Sequence, residues 1–458
     1  MKITMLGHAS VLVEMNGATC LMDPVFVDPF EDDAVTFCPK RSIFPDRLPS
    51  LDTLVISHRH PDHFDIASLA QLPRDCDVIC PADPLIVYAL EKLGFFRIHP
   101  VHPMGEILSE QFELFPTQSE VQSLREFGMV FKDSTGTFWN QVDTFPSQET
   151  IRRIVHRFGK IDLHFAMYAS QNFDFFDSRV TTFPVENHRK NLETVLQIHP
   201  RMVVPASAGF RFCDNHDWLN AFLFPISRLR FLEDLTHLAP DIETQIVNPG
   251  DVLIIDRDGV QYHSGASEIA VMEEEDTERI NYNPTALIPV LKDPNPSDYS
   301  RDHLHNRSKR FIIEGIGAYV RDGLRSGDAV IGLYRQHRVR YAIAIVFPDD
   351  VVDNYCFDFR GETMRLLEGT AASHEADLTH KIAASALVGW IERKKSFYYV
   401  RAYSRRYETV YQVCESDGQV HLEAVHLPDL LMHYLLNAAP GSEFAAKDHV
   451  DFLLQSLP

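Results

Sequence analysis

The feature that most constrains this chain is a cluster of metal-binding side chains directly after a short apolar strand, Thr53 to Ser57. The next six residues contain four such side chains, His58, His60, Asp62 and His63. In a loop leaving a strand, side chains two positions apart can turn to the same side, so His58 and His60 can share one metal. Asp62 and His63 can then reach a second. The motif predicts a site for two metal ions, and imidazole with carboxylate suits zinc, iron or manganese.

The elements around this motif predict a mixed α/β domain. Asn16-Gly17 is a hairpin signal between two β-rich runs, and Pro84 to Leu93 has the pattern of a helix. Strands and helices alternate in this way up to about residue 205. Near residue 270 the alternation of strands and helices ends. An acidic run, residues 273–276, is followed there by a polar stretch with four prolines. We therefore predict a metal-binding domain over 1–265, a linker over 266–310 and a C-terminal α+β domain over 311–458.

The C-terminal part contains no dense cluster of metal ligands. Arg338 to Phe347 alternates like a strand, Asp377 to Glu392 has helical spacing, and Phe397 to Ala402 is predicted to be a strand. His303 and His305 lie in the polar linker, which predicts a solvent-exposed loop. This domain is expected either to cover the metal cleft or to mediate self-association, and the sequence leaves both open.

Composition narrows the class of protein. A net charge of −22 disfavours nucleic acids and anionic membrane surfaces as partners. Apolar runs of about 18 residues are absent and the first residues do not resemble a signal peptide, so we expect a cytoplasmic protein without a membrane span. The seven cysteines contain no C-x-x-C pair, which predicts that the chain carries no iron–sulfur cluster.

The H-x-H-x-D-H order after such a strand resembles the signature of the metallo-β-lactamase superfamily. The runs Leu6 to Glu14 and Leu21 to Pro24 are similar to the openings of its lactonase-like and phospholipase-D-like members. The resemblance covers roughly residues 1–265 and implies an αββα sandwich. It also implies that His8 and Asp23 lie near the metals and support the ligands. A structural histidine and a turn aspartate are the alternatives.

A narrower resemblance points to one family of hydroxylases. His199 to Phe210 and Val388 to Glu408 are similar to segments of the CMP-N-acetylneuraminate hydroxylases, which join a Rieske domain to a metallo-β-lactamase-like domain. The Rieske domain is absent from this chain.

The superfamily resemblance implies three later ligands. Asp143 fits the position of the aspartate that bridges the two metals. The usual third ligand of the first metal is a histidine, but the chain has Gln118-Ser119-Glu120 there, so Glu120 is the candidate. His216 is the nearest histidine for the last position. A carboxylate in place of a histidine shifts metal preference from zinc toward iron or manganese.

Two classes of function follow from this ligand set. The favoured one is a nonheme diiron oxygenase acting on a small molecule, which requires O₂ and an external electron donor. The other is a hydrolase of a lactone, amide or phosphodiester, in which a metal-activated water is the nucleophile. A homo-oligomer is compatible with either class.

Overall fold

The structure is a computed structural model. It describes the chain except residues 109–111, 122–123, 170, 173–174, 176–180, 208, 274–281, 370–374, 417, 436–441 and 458, and except the side chains of 397–398 and 442–445. Most of the predicted acidic run, 274–276, lies outside the described residues. The chain divides into two compact units, unit 1 with residues 1–172, 182–286 and 453–458, and unit 2 with residues 173–181 and 287–452.

Unit 1 contains nineteen strands among its described residues. They are β1 (Lys2–Gly7), β2 (Ser10–Met15), β3 (Ala18–Met22), β4 (Val35–Phe37), β5 (Arg41–Ile43), β6 (Thr53–Val55), β7 (Asp77–Pro81), β8 (Ile98–Val101), β9 (Ile107–Leu108), β10 (Glu113–Gln118), β11 (Phe127–Lys132), β12 (Thr137–Asn140), β13 (Leu163–Met167), β14 (Met202–Ala206), β15 (Phe210–Phe212), β16 (Glu243–Thr244), β17 (Val252–Asp256), β18 (Gly259–His263) and β19 (Ala270–Met272).

Helices connect these strands. They are α1 (Ile66–Ala70), α2 (Pro84–Lys92), α3 (Gln148–Phe158), α4 (Val185–Ile198), α5 (Asn220–Leu223) and α6 (Arg228–Leu238), with short 3₁₀ helices at Pro45–Arg47 and Asp214–Leu219.

Two large sheets form the centre of unit 1. The first has the order β18-β17-β1-β2-β3-β6-β7-β8, and the second has the order β16-β14-β13-β12-β11-β10-β9. Apolar side chains from both sheets share one buried core, which includes Val11 and Val13 from the first sheet and Phe127, Met129 and Phe131 from the second. This shared core makes the two sheets a sandwich.

Helices cover the outer faces of the sandwich. Helix α2 packs against β7 and β8 of the first sheet. Helix α3 and the end of α4 cover the second sheet around the buried Trp139, and α4 and α6 cover it around Val203. Unit 1 is therefore an αββα sandwich, as the sequence predicts.

Unit 2 is an α+β arrangement around a five-stranded sheet with the order β22-β21-β20-β23-β24. Its elements are α7 (Arg301–Arg310), a π-helical segment (Phe311–Ile316), α8 (Gly317–Ser326), α9 (Ala329–Gln336), β20 (Arg340–Val346), β21 (Val352–Asp358), β22 (Arg365–Glu368), β23 (Leu378–Ala383), α10 (Ala384–Ile391), α11 (Phe397–Ala402), β24 (Ser404–Glu408), β25 (Tyr411–Ser416), β26 (Gln419–Ala424), α12 (Leu430–His433) and α13 (Ser442–Gln455), whose last residues belong to unit 1.

Three local predictions for this part are wrong. The predicted helix over 377–392 is the strand β23 followed by α10, and the predicted strand over 397–402 is α11. The predicted loop around His303 and His305 is helix α7, in which both imidazoles contact carboxylates of unit 2. Among the described residues, no helix is both long enough and apolar enough to cross a membrane.

Candidate metal centre

The topology of unit 1 brings the carboxyl ends of several strands together at one edge of the sandwich. Strands β1 and β3 are both antiparallel to β2 and so run in the same direction, and β6 is parallel to β3. The residues just beyond their carboxyl ends include His8, Asp23 and His58. In the second sheet, β12, β13 and β14 are parallel to one another. The loop after β12 carries Asp143, which contacts the histidines of the first sheet.

Four residues at these strand ends have a left-handed backbone. His8, Asp23, Val142 and Ser207 have φ values of 54°, 47°, 57° and 56°, although none is glycine. Such conformations are unfavourable for residues with a side chain and persist where the surrounding structure holds them. Their position at one edge of unit 1 marks this edge as a candidate functional site.

His58 and His60 form the first pair of predicted ligands, and Ser57 orients His58. The Ser57 hydroxyl donates to Asp23 Oδ2 at 2.6 Å, so its oxygen can accept the Nδ1–H of His58 at 2.9 Å. That leaves His58 Nε2 without a proton, 2.9 Å from His60 Nδ1. Two ring nitrogens at this short distance can both bind the same metal ion.

Asp62 and His63 form the second pair, and the carboxylate of Asp23 orients His63. Its Oδ2 accepts the Nδ1–H of His63 at 2.9 Å, and its Oδ1 accepts the backbone N–H of Ser57 at 2.7 Å. His63 Nε2 is therefore the nitrogen that faces the site, 3.6 Å from Asp62 Oδ2. A carboxylate that fixes the tautomer of a metal-binding histidine is a recurring feature of metal sites.

Asp143 lies between the two pairs. Its Oδ2 is 3.2 Å from His63 Nε2 and 3.8 Å from His58 Nε2. Among the described residues, these three side chains form one group that could hold a metal ion, and His8, Asp62 and His63 form another. The bridging role of Asp143 stays a prediction.

His8 enters the site from the end of β1. Its Nε2 lies 3.1 Å from both Asp62 Oδ2 and His63 Nε2. Its Nδ1 accepts the backbone N–H of Gly209 at 3.0 Å, which requires the neutral ring to carry its proton on Nε2. In this tautomer His8 donates a hydrogen bond to the Asp62 carboxylate and has no lone pair left on Nε2 for a metal.

The charges of the site are strongly coupled. Burial alone would lower the pKa of His63, but the carboxylates of Asp143 and Asp62 outweigh it and hold that pKa well above its usual range. Burial, together with the neighbouring His63 and His60, holds the pKa of His58 well below its usual range. Although burial opposes it, His63 keeps the pKa values of Asp62 and Asp143 low. The site thus contains ionised carboxylates that favour a cation.

Glu126 is a buried carboxylate that the sequence analysis missed. It directly precedes β11, and its Oε1 accepts the Ser119 hydroxyl at 2.5 Å. Burial, with a further contribution from the negative charge of Asp143, raises the pKa of Glu126 to about 7. The only sequence signal for it was its position directly before the apolar run that begins at Phe127.

Three predicted ligands, His60, Glu120 and His216, belong to neither group of metal-binding side chains among the described residues, although His60 Nδ1 lies close to His58 Nε2. Glu120 is exposed, and its backbone N–H donates a hydrogen bond to the Phe145 carbonyl. His216 is buried in the 3₁₀ helix Asp214–Leu219. The buried Glu126, six residues beyond Glu120, is the carboxylate whose charge interacts with Asp143 and His63.

The residues present fit two metal ions. His58 turns an unprotonated Nε2 toward the site, and His63 turns an Nε2 whose proton a metal ion can displace. Asp62 and Asp143 supply carboxylate oxygens. This mixture of imidazole and carboxylate donors is compatible with zinc, iron or manganese.

Comparison with known proteins gives a family match for part of unit 1. Residues 2–141 match the model of the beta-lactamase superfamily domain. The sandwich of unit 1 is the metallo-β-lactamase fold that the sequence analysis expects.

Curated relatives match parts of the chain. A protein of Mycolicibacterium smegmatis named as a putative Rieske 2Fe-2S iron-sulfur protein is 25% identical over 237 residues, covering 47% of this chain and 45% of the relative. A metal-dependent hydrolase of Carboxydothermus hydrogenoformans is 40% identical over 118 residues, covering 24% of this chain and 44% of the relative. The chain thus spans less than half the length of these relatives.

Solved structures are similar at the level of the fold. An isothiocyanate hydrolase from Delia radicum gut bacteria has 16% identity and a TM-score of 0.43, covering 56% of this chain and 99% of that one. A diiron beta-hydroxylase from Streptomyces venezuelae has 18% identity and a TM-score of 0.33, covering 45% of each chain. At these scores the likenesses carry no argument about function.

Proposed function

We propose that this chain is a dinuclear-metal enzyme, and that its favoured activity is a nonheme diiron oxygenase acting on a small molecule. The observation that carries the choice of metal is the pair of carboxylates at the site, since Asp62 Oδ2 and Asp143 Oδ2 lie 3.6 Å and 3.2 Å from His63 Nε2. Hard oxygen donors favour iron or manganese over zinc.

The ligands divide into two sets in this proposal. His58 and His60 hold one metal. Asp62 and His63 hold the other, and Asp143 lies between them. If these residues held two irons, the metals would supply the redox chemistry that O₂ activation needs, whereas two zincs would supply only Lewis-acid activation of water.

The surrounding residues position these ligands. Asp23 fixes the orientation of His63 directly and that of His58 through Ser57. His8 holds a proton on Nε2 at the Asp62 side of the site, where it can donate to a bound substrate or to the carboxylate.

Oxygenation requires electrons from outside this chain, because its seven cysteines contain no C-x-x-C pair. We propose a separate reductase or iron–sulfur protein as the donor. The relatives named as Rieske proteins support this proposal, since they are named for such a cluster.

Hydrolysis is the second candidate function. Two relatives named as metal-dependent hydrolases are 40% and 36% identical over 118 and 106 residues. In that case the same ligands would hold zinc, and the substrate would be a lactone, an amide or a phosphodiester.

The test begins with apoprotein loaded anaerobically with Fe²⁺ or with Zn²⁺. O₂ uptake is measured with ascorbate as electron donor, and hydrolysis is measured under argon with a homoserine lactone, a p-nitrophenyl ester and bis-p-nitrophenyl phosphate. We expect O₂ uptake by the iron protein, loss of this uptake in His58→Ala, and no hydrolysis by the zinc protein. Hydrolysis by zinc-loaded enzyme in the absence of O₂ would replace the oxygenase with the hydrolase.

A further inference from the structure

Two arginines of unit 1 that are not predicted ligands contact the same turn, which directly follows β7. Because β7 is parallel to β6, this turn lies at the edge of the sheet that carries the metal-binding motif. Arg59 Nε is 3.8 Å from Asp83 Oδ2, and Arg125 Nη1 donates a hydrogen bond to the Ala82 carbonyl. Contacts with two neighbouring residues of one turn place both guanidinium groups near each other at this edge.

Arg59 lies at the rim of the candidate metal centre. It stands in the chain between the predicted ligands His58 and His60, and its side chain turns toward Asp83. Its positive charge still acts on the site, because burial lowers the pKa of His60 and the charge of Arg59 adds to that lowering. A group bound to Arg59 would therefore lie within reach of a molecule held at the metals.

Most hydrogen-bond donors of these two arginines have no partner among the described residues. The ion pair of Arg59 with Asp83 is longer than a hydrogen bond, and the Arg59 side chain is 44% exposed. Arg125 is exposed and makes one hydrogen bond, to a neutral carbonyl, and no ion pair within the described part of the chain. The donors that remain on both side chains are available to a ligand.

The charge at this turn is opposite in sign to the net charge of the chain, −22. The turn has one carboxylate for two guanidinium groups, and Asp83 is buried with its Oδ1 accepting the Leu85 N–H at the start of α2. Exposed charges farther away than about 8 Å are largely screened at physiological ionic strength. Arginine binds carboxylates and phosphates through paired N–H donors, so this turn suits one anionic group of a small molecule.

We propose that Arg59 and Arg125 bind an anionic group of the substrate, a carboxylate or a phosphate, while another part of the same molecule reacts at the metals. This inference rests on the proposed function, because it needs a metal centre that holds the reacting part. It narrows the small-molecule substrate to one whose anionic group is separate from the reacting atoms. It also makes the two arginines residues that determine specificity.

The experiment compares hydroxamates, which bind zinc through the same group and differ at the other end. Butyrohydroxamate ends in a methyl group, succinic acid monohydroxamate ends in a carboxylate, and phosphonoacetohydroxamate ends in a phosphonate. Calorimetry measures the affinity of each probe for the zinc-loaded full chain. We expect at least one anionic probe to bind about tenfold or more tightly than butyrohydroxamate, and this ratio to fall to about threefold or less in Arg59→Gln and in Arg125→Gln. The probe with the larger ratio identifies the anionic group.

Arg97→Gln is the matched control. Arg97 Nε is 3.7 Å from Asp77 Oδ1, and the Arg97 side chain is 45% exposed, so its ion pair resembles that of Arg59 in length and exposure. Asp77 begins β7, whereas the turn that contacts Arg59 follows the end of the same strand. Arg97→Gln should therefore keep the full ratio between anionic and neutral probes.

Zinc content and thermal unfolding check that each variant is loaded and folded, and Arg125→Gln decides alone if Arg59→Gln loses zinc. An unchanged ratio in the arginine variants, or an equal loss in Arg97→Gln, overturns the anion site and leaves the metal centre standing. Anionic probes that bind the unmodified protein no better than butyrohydroxamate also overturn the anion site. Failure of butyrohydroxamate to bind the zinc-loaded protein overturns the metal centre, and the anion site with it.

Discussion

His8 Nδ1 accepts the backbone N–H of Gly209 at 3.0 Å, and this contact joins the end of β1 to the segment after β14. It assigns the proton of the neutral ring to Nε2, the nitrogen that faces Asp62. His58 and His63 have the opposite arrangement, since their Nδ1 atoms face acceptors. Proximity alone would group His8 with the ligands, whereas its tautomer makes it a hydrogen-bond donor.

The first prediction is that His8→Ala still binds two metals per chain, with affinity lower by about 10- to 100-fold because Asp62 loses its donor. His8→Gln, whose amide can donate, should recover part of this affinity. Metal content and competition with a chelator measure both. Loss of one whole metal per chain in His8→Ala would instead make His8 a ligand.

The second prediction concerns Asp143. Asp143→Asn should leave at most one tightly held metal, because the carboxylate between the two ligand pairs is lost. In the apoprotein, the pKa of His63 should fall, since Asp143 is the strongest of the charges that raise it. Metal analysis and NMR titration of the imidazole measure the two effects. Two metals at unchanged spacing would show that another residue is the bridge.

The third prediction concerns Asp23. Asp23→Asn leaves buried donors of Ser57 and His63 without a full acceptor, which costs about 1–3 kcal/mol of stability. Metal affinity should fall by about 10- to 100-fold. The matched control is Asp52→Asn at the other end of β6, where the carboxylate accepts the backbone N–H of Thr19 at an exposed position. Equal effects of both variants would contradict the positioning role of Asp23.

The fourth prediction concerns pH. The pKa of Glu126 is raised from 4.5 to about 7 in the folded apoprotein, so the folded state binds more protons than the unfolded state between these values. Apoprotein stability should therefore fall as pH rises from about 4.5 to about 7, by up to about 3 kcal/mol from this group. Urea unfolding of Glu126→Gln should lack this fall, whereas the exposed Glu120→Gln should retain it.

The sequence predicts the centre of this site because His58, His60, Asp62 and His63 are neighbours in the chain. Local order is enough to place them together. Glu126 could not be found in the same way, because its burial depends on the pairing of β10 with β11 and on contacts across the sandwich. The ligand assignments beyond the motif, including Asp143, remain predictions.

The wrong elements in unit 2 have physical reasons as well. Leu378, His380 and Ile382 are all buried with a period of two, because alternate side chains of a strand point to the same face of its sheet. Helical spacing is ambiguous over such a short run. Residues 397–402 are rich in aromatic residues typical of strands, yet the Ser396 hydroxyl accepts the Tyr399 N–H and caps a helix there.

Strand β1 pairs on one side with β2 and on the other with β17, about 250 residues later, through Lys2 opposite Ile254 and Thr4 opposite Val252. A ribosome adds roughly 5–20 residues per second, so His58 to His63 emerge on the order of ten seconds or more before β17 is made. During that interval β1 has an open edge, and the Gly209 amide that orients His8 is also missing for most of it. Formation of an ordered candidate metal site is thus tied to the completion of unit 1 during synthesis. A fragment ending near residue 141 would contain His58 to His63 without the later strands that hold them in place.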